Sequence, residues 1–435
     1  MIPLSRRQAL LGGLFGSGMI GLRALATGLP ASFLLNPRLA RADNGDPATP
    51  ATPQYLIVST SGSGDAVNCN VPGTYGHSDY PLGSIVHPDT PDMVETPMTI
   101  GGKSTSAAKP WSTLSKDTLA RTSFFHHGSL TANHGDELRV LKMMGAVRRD
   151  EMLLSFLAKQ LAPTFGTVQS APVALAEETI QYEGKYQPRL SPTGLKAVLS
   201  PATGPLASLQ KIRDTDLDAL NKLLKESHAT KAERAFLDQM ALSQEQVRKL
   251  SDQFATDVAA LTDNKPDFQA LAAALLIRMN VTPVVVMHIP FSGDNHSDTD
   301  WTNETTQHVA GVATINKLLQ KLKDYGLQDK TTFALLNVFG REFGTPIEGR
   351  GHNPAHSAGV LIGANFKGSV IGGVTAKGAA ADFDAATGEV KAGGDVSLTT
   401  SLASFGKTLA RGVGLSNAVI DDEMTSGTVV PAALA

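Results

Sequence analysis

Cysteine is almost missing from this chain: of 435 residues, Cys69 is the only one. A lone cysteine excludes an internal disulfide in any compartment. An excess of one charge is missing as well. The 38 lysines and arginines nearly balance the 41 aspartates and glutamates, for a formal net charge of −3. No strongly basic surface is offered to nucleic acid or anionic lipid, and neither is expected as a partner. Tryptophan is scarce, and Trp111 and Trp301 alone make a poor carbohydrate-binding surface. After the first 42 residues no apolar run is long enough for a permanent membrane span. Internal repeats and coiled-coil heptads are absent too.

What is present suits a globular protein: 42% hydrophobic and 18% charged residues, over a length sufficient for a substantial core. The 41 glycines and 24 prolines point to long, shaped loops rather than a helical bundle. The N-terminus carries an address. Ser5-Arg6-Arg7 precedes a mildly apolar stretch broken by Gly12, Gly13, Gly16, Gly18 and Arg23, and Ala40-x-Ala42 offers a small-residue cleavage site. Twin arginines before such a stretch are what the bacterial Tat exporter reads. Residues 1–42 are therefore expected to be a Tat signal, with Arg6 and Arg7 as the recognised pair. The Tat export machinery is then a partner and the periplasm the destination. Polar, Pro-rich residues 43–53 are expected to form a flexible linker to a single α/β domain over 54–435.

Buried strands are expected where short apolar, β-branched runs stand between turn residues: 54–60, 172–177, 283–289, 331–339, 358–363 and 368–374, with a further strand opening 121–137. Helical spacing marks 150–162, 267–279 and 304–327, the last with an apolar stripe of Val309, Val312, Ile315, Leu319 and Leu322. Residues 205–262 predict a helical segment packed on the body, with Leu217, Leu220, Leu223 and Leu224 recurring at helical intervals. Residues 76–120 read as irregular. The order strand, helix, strand over 283–339 implies a parallel pairing, hence an α/β fold with a mainly parallel central sheet flanked by helices.

Metal-ligating side chains follow these strands. Asp65 follows the first; His126, His127 and His134 follow the second; Asp294, Asn295, His296 and Asp298 crowd into "FSGDNHSDTD" after the run ending near 289. Asn337 ends the strand after that, and "GRGHNPAH" places His352 and His356 in the next loop. Ligands bind at the carboxyl ends of strands in open α/β sheets. Carboxylate, amide oxygen and imidazole together suit a divalent ion, with zinc, calcium and magnesium all open. Asp294 and Asp298 also have the plainer role of capping the following helix.

Gly293-Asp294-Asn295-His296, Phe339-Gly340-Arg341 and Gly349-Arg350-Gly351-His352 fall in the order seen in a large bacterial family of unknown function. Residues 283–375 resemble that family's C-terminal half, and "LIVSTSGSGDAVN" resembles its opening strand and acidic turn. Its members carry twin-arginine signals and are distant relatives of the alkaline phosphatase and sulfatase superfamily. The resemblance implies an alkaline-phosphatase-like fold. It carries Asp65 to the early acidic ligand, Asp294 and His296 to the middle pair, and His352 to the late histidine. Val338 and Gly351 stand where the family has acids; His356 and Asn337 are candidates to restore ligand number, and His134 is a further candidate neighbour. Fewer acids favour one metal over two.

A phosphatase or sulfatase also needs a nucleophile, and Thr60, Ser61, Ser129 and Thr131 are the candidates, none in a specific motif. Cys69 lacks the Cys-x-Pro-x-Arg pattern of modified sulfatase cysteines. Two readings follow. One is an exported metal-dependent hydrolase acting on a small phosphate or sulfate ester. The other is a non-catalytic envelope protein that keeps the fold around a degenerate metal site.

Overall fold

The computed structural model describes residues 51–75, 85–175, 179–200, 207–226, 254–344 and 349–435, with isolated positions 230, 234, 237, 238 and 241. Arg6 and Arg7, with the whole expected signal, lie outside the described residues, as do linker residues 43–50. The last stretch of that linker, 51–53, is tied to the body: Asn365 Nδ2 donates to the Thr52 carbonyl at 2.7 Å.

Seven strands form the central sheet: β1 (Tyr55–Ser61), β2 (Thr122–His127), β3 (Val173–Ala174), β4 (Val284–Met287), β5 (Thr331–Asn337), β6 (Ser357–Ile362) and β7 (Ser369–Ile371). Their spatial order is β7-β2-β6-β5-β1-β4-β3. Every pairing is parallel except those of β6, which runs antiparallel to both β2 and β5. Strands β4 and β5 run parallel to each other as expected, but they do not pair. The first strand lies between them, with Val58 opposite both Val286 and Ala334. Consecutive elements therefore leave a gap that the N-terminal strand fills.

Each residue of β1 is buried, because alternate side chains enter two different cores. Ile57 joins one core with helices α3 (Pro266–Arg278) and α4 (Thr302–Asp324), through Leu275, Val312 and Ile315. Leu56 and Val58 join the other with α1 (Leu153–Phe165) and α5 (Leu398–Gly412), through Leu157, Phe405 and Leu409. Helices thus cover both faces of the sheet. Helix α5 lies so close to β6 that a Cβ on Gly359 would sit 2.4 Å from the Phe405 ring. In α2 (Ala207–Glu226), Leu220, Leu223 and Leu224 are exposed rather than packed on the body. Among the described residues no helix is long and apolar enough to cross a membrane.

Two local expectations change. Residues 76–120 contain a hairpin, Glu95–Ile100 with Lys103–Ala108, turned by Gly101 and Gly102, both at positive φ. The buried face of α4 is His308, Gly311, Val312, Ile315, Leu318 and Leu322, while Val309 is exposed. His308 is a core residue because its ring meets Trp111 and Phe291 edge-on, at centroid distances of 5.6 and 5.2 Å.

Burial pushes the His308 ring down to about 3 and His127 to about 4. In the unfolded chain both revert to roughly 6.5. Their folded values are depressed, so their contribution to stability is full above pH 6.5 and is lost as the pH falls from there toward 4 and 3. The unfolded state gains protons that the native core refuses. At pH 5 each should remove about 2 kcal/mol relative to pH 7.5. Urea unfolding at the two pH values measures this. A His308→Leu variant should lose part of the pH dependence, and identical slopes in variant and wild type would count against the assignment.

A candidate metal centre at the carboxyl edge of the sheet

Parallel strands align their carboxyl ends, so the loops after β1, β2, β4 and β5 meet on one edge. The loop after β2 brings His134, that after β4 brings Asp294 and His296, and that after β5 brings His352. One ligand atom from each of the four lies within 4.8 Å of the others. His134 Nε2 is 3.4 Å from Asp294 Oδ2, and His296 Nε2 is 3.4 Å from Asp294 Oδ1. The facing Nε2 atoms of His296 and His352 are 2.5 Å apart. Nearly half of each of the His134, Asp294 and His296 side chains is open to solvent.

Backbone carbonyls decide what the rings present. His134 Nδ1 lies 2.8 Å from the Gly62 carbonyl, and His352 Nδ1 lies 2.6 Å from that of Ala132. A carbonyl only accepts, so each Nδ1 carries the hydrogen and, in the neutral ring, each Nε2 keeps its lone pair. Those lone pairs face Asp294 and His296. Phe339 packs on the His352 ring at 4.2 Å and fixes its plane. For His352, burial, followed by Arg341 and the neighbouring imidazoles, outweighs the Ala132 bond and holds the ring below its ordinary value. The shift favours the neutral ring, the form in which an imidazole can hold a metal.

Arg341 sets the charge. Its side chain is fully buried and donates to the carbonyls of Ser63 at 2.6 Å and Arg350 at 3.2 Å, to that of Gly64, and to Asp294 Oδ1 at 2.8 Å. Partial burial disfavours the Asp294 carboxylate, but the Arg341 bond, its charge and the two histidines overcome this and hold its pKa below the usual range. Three imidazole nitrogens and one carboxylate fit a borderline ion such as zinc, whereas calcium and magnesium favour oxygen ligands throughout.

Two residues expected at the site, Asp65 and His356, are placed elsewhere. Asp65 is buried and accepts from Ser61 Oγ at 3.2 Å and from the Phe291 amide at 3.1 Å, so both oxygens stitch β1 to the loop after β4. Burial raises its pKa. Asn337 is buried at the end of β5, opposite Ser61. His356 is turned into the interior, with Nε2 2.9 Å from His126 Nδ1 and Nδ1 3.2 Å from Asn68 Nδ2, so both ring nitrogens are engaged. The nucleophile candidates Thr60, Ser61, Ser129 and Thr131 are likewise buried; Ser61 bonds Asp65, and Thr131 Oγ1 bonds Asp136 at 2.7 Å.

Asp298 caps α4, accepting from the amides of Asn303 at 3.0 Å and Glu304 at 2.8 Å. Asp298→Ala is expected to cost about 0.5–2 kcal/mol of stability with metal affinity unchanged. Matching urea unfolding with a metal titration checks both, and a loss of metal binding would make Asp298 part of the site.

In the sequence, Arg341 and Arg350 stand out only as members of the motifs that carry the resemblance. Their chemistry was available: an arginine among glycines and apolar residues signals a buried cation that needs acceptors. No curated protein matches this chain. Residues 156–399, more than half of its length, match the model described as "Protein of unknown function (DUF1501)", and the chain belongs to that family.

Proposed function

We propose that this protein is a metal-dependent hydrolase that holds one divalent ion of the zinc class and acts on a small phosphate or sulfate ester. The observation that carries the reading is the tautomer arrangement. Two backbone carbonyls each take an Nδ1 hydrogen, leaving the Nε2 lone pair of His134 aimed at Asp294 and that of His352 aimed at His296. Converging lone pairs beside a carboxylate are stabilised by a cation among them. A bound ion would supply Lewis-acid polarisation of an anionic ester or of water. The partial solvent exposure of the side chains leaves room for such a substrate. We read the fold as alkaline-phosphatase-like, on the resemblance of 283–375 and the strand-end position of the site.

The second reading, a non-catalytic envelope protein with a degenerate site, is favoured by the burial of all four candidate hydroxyls. Metal analysis of protein purified without chelators, followed by assays on aryl phosphates and aryl sulfates, tests both. About one zinc per chain with ester turnover supports the hydrolase. Zinc without turnover of any ester supports the envelope protein, and absence of metal defeats the centre itself.

We also propose Tat export to the periplasm, on Arg6-Arg7 and the glycine-rich stretch behind them. The double variant Arg6→Lys/Arg7→Lys is expected to stay in the cytoplasm. Its normal delivery, read by cell fractionation, would defeat the assignment.

A further inference from the structure

Behind the histidines lies a second cluster, completely buried. Glu304 stands in the first turn of α4 with its carboxylate shielded from solvent. Oε1 accepts from Asn70 Nδ2 at 2.7 Å and from Arg350 Nη2 at 3.1 Å. Oε2 accepts from Asn295 Nδ2 at 2.9 Å and from Arg350 Nε at 2.8 Å. The remaining Arg350 donors reach the carbonyls of Glu342 at 2.9 Å and Val86 at 2.6 Å, and the Trp301 ring covers the guanidinium at 4.2 Å.

The partners of this carboxylate are the neighbours of the site. Asn295 immediately precedes His296, and Arg350 stands two residues before His352. The same two loops touch through backbone: the Arg350 amide donates to the Asn295 carbonyl at 3.3 Å. A Cβ on Gly349, at φ +94°, would sit 2.0 Å from the His296 carbonyl oxygen. Loops that follow different strands have no local reason to hold two imidazoles in register. A carboxylate fixed on a 23-residue helix and gripping both loops provides one.

We propose that Glu304 is a positioning residue that sets the spacing of His296 and His352. The functional meaning of this role rests on the metal-centre reading; its geometry does not. The neutral isostere Glu304→Gln keeps the shape but turns one acceptor into a donor facing donors. Leu318→Ala, on the buried face of the same helix, serves as a destabilised control.

Two readouts are used: zinc affinity by competition with a chelator, and the ring-to-ring nuclear Overhauser contact between His296 and His352 in metal-free protein, where the centroids lie 4.4 Å apart. Glu304→Gln is expected to lose the ring contact and to weaken zinc binding by about 10–100-fold, while Leu318→Ala keeps both. If Glu304→Gln does not fold, Asn295→Ala reads the same link with a smaller loss in the same direction. Retention of the ring contact in Glu304→Gln, or its equal loss in Leu318→Ala, overturns the proposal. If wild-type protein binds no zinc, the metal reading fails and the ring contact alone decides the positioning role.

Discussion

Replacing His352 by alanine is expected to weaken zinc binding by roughly 100-fold or more, since loss of outer partners alone costs about 10–100-fold. The ring is partly exposed, its Nδ1 is spent on the Ala132 carbonyl, and its Nε2 faces His296. Removing it takes one of four donors and uncovers one face of the Phe339 ring. His356→Ala is the instructive contrast. That ring is only four residues further on, yet it is fully buried between His126 and Asn68. Its loss opens a cavity and strands two polar partners, for a destabilisation of about 2–4 kcal/mol, with zinc affinity preserved. Chelator competition and urea unfolding on both variants separate the effects. Equal zinc affinity in His352→Ala and wild type would remove His352 from the site.

The second large effect is on stability. Arg350→Met is expected to cost about 3–5 kcal/mol, because it leaves the Glu304 carboxylate buried without its counter-charge. Both side chains of this pair are 0% exposed. The Lys103–Glu389 pair is as close at 2.7 Å, but its side chains are 70% and 65% exposed, and Lys103→Met should change stability by no more than about 0.5 kcal/mol. The difference is dielectric: water solvates a stranded glutamate at the surface, while nothing replaces the guanidinium inside. Urea denaturation of the two variants gives the comparison. A cost below about 1 kcal/mol for Arg350→Met would mean that Glu304 finds another partner.

Much of the sheet was legible in the sequence because its strands are buried on both faces. Such strands read as short continuous apolar runs, as "QYLIVST" and "TTFALLNVF" do. The hairpin over 95–108 escaped because Pro97 and several hydroxyl residues dilute its pattern, although Gly101-Gly102 is a two-residue turn signal. Helical spacing located α4 and most of its buried stripe, with Val309 the one expected member that is exposed. Its neighbour His308 is buried instead, with its ring edge-on to Trp111 and Phe291.

The sequence by itself determined that ligand-bearing loops would collect on one edge, since parallel strands end together and their loops must follow. It did not determine which side chains would share a point there. Asp65 was the expected ligand and His134 only a candidate neighbour, yet it is His134 that joins the cluster. Tertiary structure separated them: the Phe291 amide and Ser61 draw Asp65 inward, while the Gly62 carbonyl turns His134 outward. His352 and His356 were separated in the same way, by the Ala132 carbonyl on one side and by His126 with Asn68 on the other. A loop side chain turns toward whichever partner satisfies its polar atoms, and these partners come from strands far away in the chain. Spacing along the sequence places a residue at the edge of the sheet; only the folded neighbours decide where its lone pairs point.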